Sequence, residues 1–234
     1  MKAVIVAAGL STRMYPVVRD MPKCMLEVGG KPIIRGVINQ LTAAGINEIG
    51  VVVGYNRGEI EEEIMFDKEV TIIYNPFYEQ CNNMASLWFA KDFINKEPFI
   101  YIHGDLLFDT KILTKLLDAP EEDFVVIDTK ECDKEDMKVV VTIDGNIIDY
   151  GKEIELDRAN GEWIGMAKFY RPDVLFNVIE YLLESKELYA YDVVAFAEMG
   201  VLGYGIRPYF ITGLQWIEID FPKEYELACQ MNWK

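Results

Sequence analysis

Five short apolar runs recur along the first half of the chain: "AVIVAA" (3–8), "IGVVVG" (49–54), "VTIIY" (70–74), "FIYIHGD" (99–105) and "FVVID" (124–128). They are mostly apolar on consecutive positions and read as strands, "IGVVVG" as a buried one. The stretches between them carry a helical period. "KPIIRGVINQLTAAG" spaces Ile34, Val37, Ile38 and Leu41 along one face before Gly45; "GEIEEEIMF", "NMASLWFAKDFI" and "TKILTKLL" read the same way. Strand and helix in strict alternation predict an α/β fold: a Rossmann-like, mostly parallel sheet with helices on both faces.

The pattern changes after about residue 130. "MKVVVTIDGNIIDYGK" alternates around Asp144-Gly145, a hairpin signal. "GEWIGMAKFYR" reads as a further strand, "PDVLFNVIEYLLESK" as a helix opened by Pro172, and "YDVVAFAEMG" as a helix stopping at Gly200. "IRPYFI" and "WIEID" read as strands and "PKEYELACQMNW" as a helix. A small antiparallel elaboration in the C-terminal half follows. With no linker or repeat in sight, residues 1–234 are expected to form a single domain, a core over about 1–130 and an elaboration with a closing strand and helix over about 131–234.

Charge narrows the partners. The net charge is −16, which argues against nucleic acid and anionic membranes. Yet residues 1–35 hold six basic side chains (Lys2, Arg13, Arg19, Lys23, Lys31, Arg35) against Asp20 and Glu27, so this segment is +4 and the rest −20. A basic end on an acidic chain suits one small polyanion. No apolar run reaches membrane-spanning length, and "KAVIVAA" is too short for a signal peptide. Four scattered cysteines, Cys24, Cys81, Cys132 and Cys229, form no C-x-x-C pair, which argues for a reducing, cytoplasmic setting. The sequence leaves a homo-oligomer open.

The basic segment contains a loop with chemistry in it. After the first strand comes "AAGLSTRM" (7–14). It lacks the spacing of the dinucleotide fingerprint and of the P-loop. Gly9 allows a tight turn, consecutive N–H groups make an anion nest, Arg13 adds a fork for phosphate oxygens and Lys23 a point charge. Further along, Asp105 ends the strand "FIYIHGD" and Asp220 ends "WIEID", positions where open α/β sheets gather ligand-binding groups. Asp109 and Glu218 are nearby carboxylates; Asp109, just before "TKILTKLL", reads as a helix cap. The lone His103 in its apolar strand reads as structural.

"AAGLSTRM" followed by "PKCMLEVGGKPII" (22–34) resembles the signature of the nucleotidyltransferases that make nucleoside-diphosphate sugars. Ser11 stands where that family's loop has its second glycine. The resemblance implies transfer of an NMP unit from an NTP to a phosphate-bearing acceptor with release of pyrophosphate. Ala7, Ala8, Gly9, Ser11, Thr12 and Arg13 would hold the nucleotide, with Arg13 facing the pyrophosphate and Lys23 the α-phosphate as the catalytic pair. Mg²⁺ would be the cofactor, bound by Asp105 and Asp220, with Asp105 also touching the nucleotide. The stretch "NNMASLWFA" (82–90) resembles the phosphocholine cytidylyltransferase branch, which implies CTP and a base-reading role for Asn82, Asn83 and Ser86. That branch implies a small phosphate or phosphonate acceptor of the phosphocholine, phosphoethanolamine or 2-aminoethylphosphonate type. Lys138 and Lys152 are the candidates for its phosphate, and Trp163, Tyr191, Asp192, Trp216 and Glu218 for its cationic head. Two other readings remain. A sugar-1-phosphate or inositol-phosphate nucleotidyltransferase would need several hydroxyl-binding groups at the acceptor wall. A non-catalytic nucleotide-binding regulatory module would not need Arg13, Lys23, Asp105 and Asp220 together.

Overall fold

The computed structural model describes residues 1–15, 17 and 21–233; Arg19 and Asp20 of the basic segment lie outside them. The chain opens with β1 (Lys2–Ala7), a two-residue ribbon β2 (Glu27–Val28) and β3 (Lys31–Pro32), then α1 (Ile33–Ala43), β4 (Ile49–Val53), α2 (Arg57–Ile64) and β5 (Val70–Tyr74). Two short helices, α3 (Asn83–Trp88) and α4 (Lys91–Ile94), lead to β6 (Phe99–His103), β7 (Leu106–Phe108), α5 (Thr110–Leu117) and β8 (Phe124–Asp128). The second half holds β9 (Lys138–Val141), β10 (Ile147–Gly151), β11 (Gly161–Phe169), α6 (Pro172–Glu184), α7 (Asp192–Val201), β12 (Arg207–Ile211), β13 (Trp216–Glu218) and α8 (Pro222–Gln230).

Four strands in the order β5–β4–β1–β6 run parallel. β11 lies antiparallel to β6 on one side and to β8 on the other, and β12 pairs β8 in parallel. The β9–β10 hairpin joins this nine-stranded sheet through β11. Alternation along β1 divides two cores. Ala3, Ile5 and Ala7 belong to one core with residues of α1 and α5, whereas Val4 belongs to the other, which includes Leu87, Leu175, Ile179 and Phe196 from α3, α6 and α7.

Local signals place several boundaries. Asp109 Oδ1 accepts the Lys111 N–H at 2.9 Å and caps α5, Pro172 opens α6, and Gly145 turns the β9–β10 hairpin at φ +75°. Three features depart from the sequence reading. The helix expected over 83–94 breaks after Trp88, where the Ala90 N–H reaches back only to Leu87 O and tucks Ala90 into the core. α7 runs past Gly200 to Val201, because the left-handed residue that turns the chain is Gly203. The strand "WIEID" does not join the main sheet. β13 pairs antiparallel with β7, and the Ile219 N–H donates to Asp105 O, so the C-terminal carboxylates sit beside the end of β6.

β11 carries an irregularity between Trp163 and Ala167, and Gly165 there adopts φ +83°. A methyl at Gly165 would lie 2.8 Å from His103 Nδ1. Gly165→Ala therefore combines left-handed backbone strain with a clash at the end of β6. It is expected to lower unfolding free energy by about 1–3 kcal/mol, read from urea titration; an unchanged midpoint would show that β11 relaxes freely.

Candidate active site

The loop after β1 is held from two directions. Ser11 takes φ +57°, the left-handed conformation a glycine adopts readily, and its Oγ accepts the Lys23 backbone N–H at 2.9 Å. Ser11 thus stitches the two halves of the basic motif together. Ala7, Ala8, Gly9, Ser11, Thr12, Arg13 and Lys23 line one end of a cavity of about 720 Å³ across the carboxyl ends of β1 and β6.

Four charged groups from distant segments meet at that end. The Lys23 ammonium pairs with Asp105 and, at 2.7 Å, with Asp220. The Arg13 guanidinium reaches the same Asp220 oxygen at 2.7 Å and lies over the Phe221 ring. Glu224 accepts the N–H groups of Asp220 and Phe221 at 2.6 and 2.7 Å, which fixes the carboxylate at the start of α8. Burial disfavours the Lys23 charge, but Asp105 and Asp220 outweigh it and hold its pKa above the ordinary value. Burial likewise opposes Asp220, whose carboxyl Lys23 and Arg13 nevertheless keep below the usual aspartate range.

Asn82, Asn83 and Ser86 border the same cavity, each with structural work besides. Asn82 Oδ1 accepts the Asn83 N–H and its amide donates to Tyr189 O. Ser86 is buried, accepting from Asn75 Nδ2 at 3.0 Å. Asn83 Oδ1 takes the Asp192 N–H. Tyr78, across from them, was not singled out from the sequence, where a loop tyrosine carries no pattern.

At the far end the structure redistributes the residues assigned to the acceptor. Lys152, Tyr191, Trp216 and Glu218 line the cavity. Lys138 does not: it is buried at 1% exposure, its ammonium donating to the carbonyls of Asp133, Lys134 and Asp136, and so cannot reach an acceptor phosphate. Asp192 is also 1% exposed; its carboxylate receives the Tyr101 hydroxyl at 2.5 Å and His103 Nε2 at 3.0 Å, beneath the cavity floor. Trp163 reaches the cavity only at its margin, since its ring is 4% exposed and edge-on to His103 and Phe196. Trp216 anchors its indole N–H on Asp128 and carries the Lys130 ammonium 4.8 Å above its ring.

His103, read from the sequence as structural, pairs with two carboxylates here. Its Nδ1 meets Glu218 at 2.6 Å. Burial opposes its protonation, but Glu218 and Asp192 outweigh burial and raise its pKa well above the ordinary histidine range. Each ring nitrogen thus faces a carboxylate oxygen. The sequence signal was its neighbourhood, a polar side chain two residues before Asp105 at the end of a buried strand. Lys130 and Glu162, paired at 2.6 Å, were also missed, because Lys130 follows β8 and Glu162 lies in β11.

The sequence pattern of the MobA-like NTP transferase domain matches residues 3–195. The chain is 30% identical to CTP:phosphoglutamine cytidylyltransferase of Campylobacter jejuni over 98% of this chain and 100% of that one. It is 37% identical to 2-aminoethylphosphonate cytidylyltransferase of Lancefieldella rimae over 45% of this chain and 43% of that relative. In fold it is similar to the CTP:phosphocholine cytidylyltransferase of Streptococcus pneumoniae, with a TM-score of 0.83 at 23% identity, covering 98% of this chain and 97% of that one.

Burial pushes the Glu162 carboxyl up to about 8, against the pull of Lys130. The folded state then holds a proton that the unfolded chain releases near the ordinary glutamate pKa, so this group's contribution to stability falls as pH rises from about 5 to 8. Glu162→Gln is expected to flatten that decline in urea unfolding across the same pH range. A slope identical to that of the unaltered chain would place the proton elsewhere.

Proposed function

This chain belongs to the MobA-like NTP transferase domain family and is a nucleotidyltransferase, and we propose that it transfers CMP from CTP to a small phosphate or phosphonate acceptor. The observation that carries this reading is the meeting of Arg13, Lys23, Asp105 and Asp220 at one end of a cavity that Asn82, Asn83 and Ser86 also border. The relatives that act on phosphoglutamine and 2-aminoethylphosphonate support CTP as donor and a phosphorylated or phosphonate amine as acceptor. In this reading the segment to about residue 130 holds the nucleotide and the remainder frames the acceptor.

The chemistry asks little of a base. A phosphate monoester is largely dianionic at neutral pH, its second pKa being about 6, so its oxygen attacks without losing a proton. The new bond forms from that oxygen to the α-phosphorus of CTP, and the bond from the α-phosphorus to the bridging oxygen breaks as pyrophosphate leaves. Lys23 neutralises charge at the α-phosphate. Arg13, through its fork, holds the departing β- and γ-phosphates. His103, engaged on both nitrogens, acts as a positioning residue for Glu218 and takes no proton from the acceptor.

A divalent cation fits Asp105 and Asp220, whose hard carboxylate oxygens suit Mg²⁺ and already face cationic groups. His103, Asp105 and Glu218 also bring possible ligand atoms within 4.8 Å of one another. In that group both ring nitrogens of His103 are already engaged, by Glu218 and Asp192. When bound, Mg²⁺ would supply charge neutralisation for the triphosphate. Cytosine differs from uracil at the 4-position, where one presents a donor and the other an acceptor, and the amides of Asn82 and Asn83 are the groups to read it. The free state of all four cysteines supports a cytoplasmic setting, and among the described residues no helix is long and apolar enough to cross a membrane.

Pyrophosphate release with each of four NTPs and phosphorylated amines tests the reading: CTP should be preferred, and equal kcat/KM for all four would remove base reading from 82–86. Lys23→Ala should lower kcat by about 10²–10³, the scale of losing one preorganised donor; a loss below about threefold would remove it from the reaction. Asp105→Asn and Asp220→Asn should each weaken Mn²⁺ binding, followed by electron paramagnetic resonance with CTP present. Unaltered binding in both variants would overturn the carboxylate assignment.

A further inference from the structure

The far end of the cavity is not a bare acidic and aromatic cage. The face of Trp216 is already covered by the Lys130 ammonium at 4.8 Å, and Trp163 is packed away at 4% exposure. A substrate ammonium therefore finds one face of Trp216 already taken and Trp163 closed to it. The cavity wall instead presents a cation and an anion: Lys130, seated on Trp216, and Glu218, two residues further along β13. Lys130 is fixed by Glu162 at 2.6 Å and by the indole, yet its side chain stays 46% exposed and its ammonium has three donors. Glu218 is fixed by His103 at 2.6 Å while its side chain stays 30% exposed at the cavity. A purely cationic head would meet Glu218 but also the repulsion of Lys130. A head bearing both charges would satisfy both walls.

We propose, resting on the acceptor reading above, that the acceptor is an amino acid phosphorylated or phosphonylated on its side chain, with Lys130 binding its α-carboxylate and Glu218 its α-ammonium. Lys130 is then the residue that separates such amino acids from simple phosphorylated amines. Both classes present the same phosphate end to the α-phosphorus of CTP, so discrimination resides in the carboxylate alone.

Two matched pairs isolate that group: O-phosphoserine against phosphoethanolamine, and 2-amino-3-phosphonopropionate against 2-aminoethylphosphonate. Each pair differs by one carboxylate. Binding is measured by calorimetry on the full chain with Mg²⁺ and a CTP analogue whose α–β bridge is methylene. The carboxylated member of at least one pair should bind about tenfold more tightly. Lys130→Met should bring the ratio to within about twofold, whereas Lys130→Arg should retain most of it. Equal or tighter binding of the simple amine in both pairs, a ratio unmoved by Lys130→Met, or no binding of any of the four overturns the proposal. CMP transfer assayed in parallel with CTP separates it from the broader reading. Preferential binding of the carboxylated compounds without pyrophosphate release would sink the transferase reading and leave the Lys130 assignment standing. Efficient transfer to both members of each pair alike would do the reverse.

Discussion

The Lys23 ammonium, lodged between Asp105 and Asp220, is the contact on which the arrangement of the active end depends. It joins the loop after β1 to the end of β6 and to the start of α8, and Lys23 and Asp220 are 197 residues apart in the chain. Two carboxylates brought this close repel each other and lose hydration, so they are tolerated only with a cation between them. The charges a triphosphate requires are thereby kept compensated in the protein itself. Arg13 adds a second tie to Asp220, and Ser11 secures the backbone of Lys23 from below.

That contact exists because β13 leaves the main sheet. Paired with β7 instead, it delivers Glu218 and Asp220 on one ribbon, and the Ile219 N–H on Asp105 O sets their height relative to β6. Below the ribbon runs a relay of buried polar groups: the Tyr101 hydroxyl donates to Asp192, Asp192 accepts from His103, and His103 donates to Glu218. Each member is satisfied by the next, as a buried polar network must be. Gly165 supplies the room His103 needs. Glu218 is thus oriented toward the cavity through His103, which the buried Asp192 and Tyr101 hold in turn.

The two ends of the cavity differ in electrostatic character. The nucleotide end concentrates cations over paired aspartates, a site for a polyanion and its counter-ion. At the far end Lys130 pairs with Glu162 and His103 with Glu218, a pattern of opposed charges instead of a cluster of one sign. A pattern selects by complementarity of shape and sign, and so it is better suited to choosing among acceptors than to raising affinity for any one of them.

Most of the parallel core was legible in the sequence because its inner strands are buried on both faces and therefore apolar, as in "IGVVVG" and "FIYIH", whereas the edge strand β5 is largely exposed. Caps and turns at Asp109, Pro172 and Gly145 were legible because each acts over two or three residues. The loop bearing Gly9, Ser11 and Arg13 was legible for the same reason, a local run of unusual residue types beside Lys23. What lay beyond a single segment was not. Lys138 and Asp192 carry suitable charges at suitable positions in the chain, yet packing turned both inward, one onto carbonyls and the other under His103. His103 and Lys130 acquired their places only from partners 115 and 32 residues away, Glu218 and Glu162. By itself the sequence determined which segments become strands and helices and which loop holds phosphate, since those follow from local period and residue type. Only the tertiary structure decided which carboxylates face the cavity, because that depends on how β7, β11 and β13 stack and on which charges find a partner when water is excluded.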